Sequence, residues 1–225
     1  MLFKGIDLAQ LAATQALYTS AWQHPGSRME AFMKVSPRLK ARTAGFFYLM
    51  VFLAAPSGAA SATPVKMVIN MACDLAVAVL LYELLRPVSR SLSLLAALFR
   101  VLFITVMSVT SLNYFGLLHV FQKSRSPEAF DAAYGIALIP FGISCLLIGY
   151  LVFRSTFLPR ILGMLMAVAG GAYLIFLSPA LGSRLFIPWI VVPAVVGEAS
   201  LTLWLLIMGV DSSRSSTQPR GPQAR

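Results

Sequence analysis

The sequence predicts an all-α membrane protein: a polytopic bundle of six transmembrane helices, with both termini on the cytoplasmic side. Three observations lead there. Hydrophobic residues make up 58% of the chain and charged residues only 12%, against about 45–50% and about 25% in soluble domains. Several apolar runs approach the ~20 residues that crossing the hydrocarbon takes. Runs such as CLLIGYLVF, residues 145–153, are continuous, whereas the strands of a membrane barrel alternate in polarity.

Residues 1–43 are read as a cytoplasmic segment without a span. Within it, LAQLAATQALYTSAW is mildly apolar and suits a short interfacial helix. The stretch MKVSPRLKARTAGFFYLM, from Met33, has the form of a membrane-protein beginning. A start at Met29 or Met33 is the accompanying hypothesis, which N-terminal sequencing tests. Span one is expected at about 44–62, with Pro56 kinking or ending its apolar run. Arg38, Lys40 and Arg42, then AGFFYLMVFLAA, then GAASA, also have the layout of a cleavable secretory signal. Retention is favoured, because the chain that follows is itself a membrane bundle.

Span two is expected at about 67–85, stopped by Arg86, Pro87 and Arg90. Span three covers about 93–117 and is followed by the polar connector QKSRSPEAFDA. Span four covers about 133–153, with Gly135, Gly142 and Gly149 on nearly one face. Span five covers about 161–181, with Gly163, Ala167 and Gly171 as a small-xxx-small stripe. Such stripes let helix backbones approach closely in lipid, and packing is the reading taken for both. Arg154 to Arg160 forms the basic turn of the hairpin Gly142–Ile175. Span six covers about 186–209 and contains Pro188, Pro193 and Glu198. The polar tail, 210–225, cannot build a core and is expected to be disordered. Residues 44–209 thus form a single transmembrane domain.

Orientation follows from Lys and Arg. With the N-terminus inside, the cytoplasmic segments hold Lys4, Arg28, Lys34, Arg38, Lys40, Arg42, Arg86, Arg90, Arg154, Arg160 and the three arginines of the tail. The outer segments hold only Lys66, Lys123, Arg125 and Arg184. The net charge of +10 is therefore assigned to connectors that meet the lipid bilayer and its anionic headgroups, and nucleic acid is excluded as a partner. Tyr82, Tyr150 and Phe153 near inner ends, with Tyr114, Tyr134, Tyr173 and Trp189 near outer ends, read as an interfacial aromatic belt.

Ionisable residues inside spans are costly and are functional hypotheses by default. Here they are Asp74, Glu83, Arg100 and Glu198, with Asn70, Asn113 and His119 adding neutral polarity. Glu83 lies within a turn of the inner end, and Arg86 is three residues on, so a local pair explains it. Asp74 lies ~18 Å, Glu198 ~16 Å and Arg100 ~10 Å from their inner ends at 1.5 Å per residue. Asn70 is one turn from Asp74. The sharp hypothesis is a buried cluster of Arg100 with Glu198, Asp74 or both, able to bind a polar ligand or pass a proton. The plain one is a structural ion pair that fixes helix register.

Catalytic patterns are absent: there is no HExxH, GxSxG, P-loop or GxGxxG opening a helix after a strand. Ser144 and Ser178 have no obvious histidine. His24 and His119 cannot make a metal site without several unrelated partners. Cys73 and Cys145 fall inside spans and read as small hydrophobes. No cofactor or metal is expected.

YLVFRSTFLPRILGMLMAVAGGAYLI resembles the signature of the bacterial membrane proteins grouped as domain of unknown function 4386, on Phe153, Arg154, Ser155, Pro159, Arg160 and Gly163. GEASLTLWLLIMGV, with Gly197, Glu198, Leu203, Trp204 and Gly209, is similar to that family's closing helix. ARTAGFFYLM resembles its first helix, and YELLRPVSRSLSLLAALFR its second-to-third junction, with Arg86, Pro87 and Arg100. The resemblance spans about residues 40–210. Two departures stand out: only a few residues separate spans one and two, and Val101 to Thr105 offers a threonine where members often carry an acid or amide. The resemblance implies a multi-pass helical protein of the bacterial cytoplasmic membrane and no particular activity. The leading functional reading is a non-enzymatic membrane protein with a structural or partner-binding role. The alternative is a small-molecule or proton-coupled transporter or ligand-binding protein built on Asp74, Arg100 and Glu198. A membrane enzyme is third.

Overall fold

The helix boundaries follow from caps and prolines written into the sequence. A computed structural model describes residues 36–56, 58–117, 126–185 and 189–210. The interfacial-helix and start-site expectations, both histidines and the polar tail lie outside the described residues. Helix α1 is Pro37–Ala54. Helix α2, Pro64–Leu85, opens on Thr63, whose hydroxyl accepts from the Lys66 N–H at 3.3 Å, with Pro64 in the first turn. Helix α3, Arg90–Tyr114, opens on Ser89 in the same way. Helix α4, Pro127–Arg154, opens on Ser126 followed by proline. These are the side-chain oxygens and first-turn prolines that suit helix starts. Helix α5, Arg160–Tyr173, runs into a 3-10 turn, Leu174–Leu177, and the short helix α6, Pro179–Leu185. Helix α7, Val191–Ile207, ends at Gly209, whose φ of +68° is natural only for glycine and lets its N–H bond the Trp204 carbonyl at 3.1 Å.

Two expected spans are redrawn. Span one, expected at 44–62, is the helix Pro37–Ala54, which stops two residues before Pro56. The linker to α2 is therefore longer than the few residues expected, and contains a 3-10 turn, Ala59–Ser61, tied to α4 where Asp131 Oδ1 accepts from the Ala59 N–H at 2.9 Å. Span five, expected as one run over 161–181, breaks after Tyr173. Pro179 disfavours helix at the residue before it, and Ser178 is extended.

The helices close into a ring. α1 packs on α2, α2 on α3, α3 on α4, α4 on α5, α5 on α7, and α7 returns to α1, while α6 lies against the 3-10 turn and α4. Neighbours are antiparallel. Among the described residues, four segments are long and apolar enough to cross a membrane: Pro64–Leu85, Arg90–Tyr114, Pro127–Arg154 and Arg160–Leu177. Val191–Ile207 is apolar but shorter, and α1 carries Arg38, Lys40 and Arg42 in its first two turns. The ring is apolar on its outside, with Phe46, Val79, Leu98, Ile136, Val168 and Leu203 exposed, one from each ring helix. In water that surface would be an aggregation liability; in lipid it is the solvent-facing side. Among the described residues there is no strand, and the all-α membrane bundle stands.

Close approach depends on glycine. A Cβ on Gly149 would lie 2.8 Å from the Gly163 carbonyl, and one on Gly163 2.6 Å from the Gly149 carbonyl. About two turns on, Gly142 and Gly170 meet in the same reciprocal way. The stripe on α5 is thus Gly163, Ala167 and Gly170. Gly171, expected to belong to it, has nothing within 4 Å of its Cβ position, because Gly170 already occupies the inward direction.

At the basic end, Glu83 Oε1 takes the expected local pair with Arg86 Nη1 at 3.0 Å. Its Oε2 also takes Lys40 Nζ of α1 at 3.3 Å. We expect Glu83→Ala to lower stability by about 1 kcal/mol, and Arg86→Ala by at most about 0.5 kcal/mol, since pairs within one helix are weak. Thermal melts of the two variants in detergent check the order.

Candidate functional site

Each of the six ring helices sends one side chain to the centre: Tyr48 from α1, Asp74 from α2, Arg100 from α3, Phe141 from α4, Tyr173 from α5 and Glu198 from α7. Arg100 and Asp74 are 0% exposed and Glu198 is 4% exposed. Arg100 donates from Nε to Asp74 Oδ1 at 2.8 Å, and Nη2 lies 2.6 Å from the same oxygen. Nη1 donates to the Tyr48 hydroxyl at 3.4 Å, and that hydroxyl donates to Glu198 Oε2 at 2.9 Å. Tyr173 donates to Glu198 Oε1 at 2.5 Å. The guanidinium lies between two rings, 4.7 Å from the centroid of Tyr48 and 4.8 Å from that of Phe141, an arrangement that suits a delocalised cation. The Phe141 ring meets Tyr173 edge-on at 5.3 Å.

Small residues make this convergence possible. Gly45 admits α7, since a Cβ there would meet Leu206 N at 2.6 Å. Gly197 admits α5 in the same way, against the Leu165 carbonyl. Each glycine stands close to the residue its helix contributes, Gly45 to Tyr48 and Gly197 to Glu198. Two other buried hydroxyls bond carbonyls. Ser144 donates to the Ala96 carbonyl of α3 at 2.8 Å, and Thr202 to that of Glu198 at 2.8 Å.

Of the residues singled out from sequence, Asp74, Arg100 and Glu198 come together. Arg100 pairs directly with Asp74, whereas its link to Glu198 passes through Tyr48. Asn70 does not join them: its side-chain amide donates to the Val51 carbonyl at 2.9 Å and ties α2 to α1. Tyr48, Tyr173 and Phe141 had no place in the expected cluster. Tyr173, expected in the interfacial belt, instead turns inward to Glu198. A tyrosine in mid-run, as Tyr48 is, was the one signal available, since a buried phenol needs a partner.

Two atoms of the ion pair remain underused. Asp74 Oδ2 has no hydrogen-bond partner in the protein, and Arg100 Nη2, despite its closeness to Oδ1, forms no hydrogen bond of good angle. Beside them a narrow crevice of about 10 Å³ ends on Arg100, lined by Tyr82, Ser93, Ala96, Ala97 and Ser144 among others. That is room for about one water. Its lining runs along α2 and α3 towards the basic end. Among the described residues no trio of His, Cys, Asp or Glu is placed to hold a metal ion.

A family model described as Domain of unknown function (DUF4386) matches residues 48–209, a range that begins at Tyr48 and includes the whole central group. An uncharacterized protein of Archaeoglobus fulgidus is 32% identical over 146 residues, covering 65% of this chain and 83% of that relative. No solved structure matches the chain.

Proposed function

The chain belongs to the DUF4386 family, and from that premise we propose a non-enzymatic membrane protein in which the central polar group locks six helices into one register, leaving the outer faces for lipid and protein partners. One observation carries this reading: the ionisable side chains are buried and held by other helices of the ring, Arg100 on Asp74 and Glu198 on two tyrosines. A buried ion pair adds little net stability over an apolar core, but it fixes which helices meet. In this reading all six ring helices span the membrane, and both termini face the cytoplasm of a bacterial cell. The gathering of Arg38, Lys40, Arg42, Arg86, Arg90, Arg154 and Arg160 at one end supports that orientation and a contact with anionic lipid. Retention of α1 is supported by Tyr48, which the centre uses.

The transporter reading has one observation in its favour, the crevice that ends on Arg100. Reconstitution separates the two. Purified protein in liposomes loaded with a pH dye and a panel of labelled solutes is expected to give no flux above protein-free vesicles. Solute counterflow that Arg100→Met abolishes would overturn the structural reading.

A further inference from the structure

We propose that Glu198 is a proton-binding site, taking one proton from water on the oxygen that faces Tyr173. The inference goes beyond the structural role and does not depend on it. It starts from a charge count. The sealed centre holds two carboxyl groups and one cation, and the cation is committed to Asp74 by contacts of 2.8 and 2.6 Å. Glu198 is left with two neutral phenols as its hydrogen-bond partners. An ionised carboxylate held in lipid-embedded protein by neutral donors alone is costly, and a single proton removes that cost.

The hydrogen-bond directions say where the proton goes. Arg100 has only donors to offer, so the Tyr48 oxygen accepts from it and spends its own hydrogen on Glu198 Oε2. Oε2 is occupied by an incoming hydrogen. Oε1 accepts from Tyr173, at 2.5 Å, and that hydroxyl, unlike Tyr48's, can turn its own hydrogen away and accept one from Oε1. The step is balanced: hydronium gives its proton to Oε1, an O–H bond forms there, water leaves, the Tyr173 hydroxyl turns from donor to acceptor, and no other covalent bond changes. The other groups within electrostatic reach are accounted for. They are Tyr48 on α1, Asp74 on α2, Arg100 on α3, Tyr134 and Cys145 on α4 and Tyr173 on α5. Arg100 is the one cation among them, and Asp74 matches it. Tyr173 is the last residue of α5 and only partly buried, at the end away from the basic connectors.

Infrared difference spectroscopy of the full chain in phosphatidylcholine vesicles, stepped between acid and alkaline buffer, tests this. A protonated carboxyl has a C=O stretch that a carboxylate lacks. We expect one such band from a sealed group, shifted by carboxyl-13C glutamate but not by 13C aspartate, and absent in Glu198→Gln. If Glu198→Gln does not fold, Tyr173→Phe decides. It should move the band's midpoint by about one pH unit or more, the equivalent of one hydrogen bond to a charged group. No band at any pH overturns the proposal. So does a band that only labelled aspartate shifts, or an unchanged midpoint in Tyr173→Phe.

Discussion

Arg100→Met is expected to lower the unfolding free energy by about 3–5 kcal/mol, the range for removing one partner of a buried pair. The loss arises less from the missing attraction than from what remains. Asp74, 0% exposed, would keep a carboxylate with no cation to face, and Tyr48 would lose its donor. The change is close to isosteric in its aliphatic part, so a cavity contributes little. Adding Asp74→Leu to Arg100→Met should recover most of the loss, because two apolar side chains then replace two charges. The cycle is read from denaturation in mixed micelles, following tryptophan fluorescence. A double variant as unstable as the sum of its parents would show that Arg100 and Asp74 are not coupled.

The second large effect concerns a single methyl group. Gly163→Ala should cost about 1–3 kcal/mol, the usual range for overpacking, and Gly163→Leu should prevent recovery of folded protein. The obstacle is backbone, at 2.6 Å from both the Gly149 carbonyl and the Phe153 nitrogen. Neither can rotate aside as a side chain would, so α4 and α5 must separate. Gly171→Ala, eight residues on in the same helix, meets nothing. It should be neutral or slightly stabilising, since alanine is the better helix former by about 1 kcal/mol. Thermal midpoints of the two alanine variants in one detergent are the check. Equal destabilisation would mean that the contact between α4 and α5 is not as described.

Much of this was legible in the chain before folding. Charged residues inside apolar runs are few, so Asp74, Arg100 and Glu198 could be picked out by cost alone. Tyrosine carries no such mark. It belongs equally to an interface and to a satisfied core, so sequence alone does not distinguish the inward-facing Tyr48 and Tyr173 from belt residues. The break after Tyr173 was hidden because LIFL continues the apolar pattern without a pause. Gly170 and Gly171 are adjacent, and one residue is about 100° of helix rotation at 3.6 residues per turn. Only the neighbouring helix decides between them. Ring closure was out of reach for the same reason, since periodicity marks an inward face but not the helix that face will meet.

The closed ring also sets a timetable for synthesis. Arg100 finds Asp74 only 26 residues back along the chain, so that charge can be matched while the ribosome is still adding helices. Glu198 must find Tyr48 across 150 residues. At about 5–20 residues per second, α1 waits roughly eight to thirty seconds for α7. In that interval the nascent protein holds an Arg–Asp pair already neutral and phenols still short of their acceptor. The residue that completes the centre arrives on the final helix, so a chain truncated before α7 would lack the group that ties α1 and α5 together.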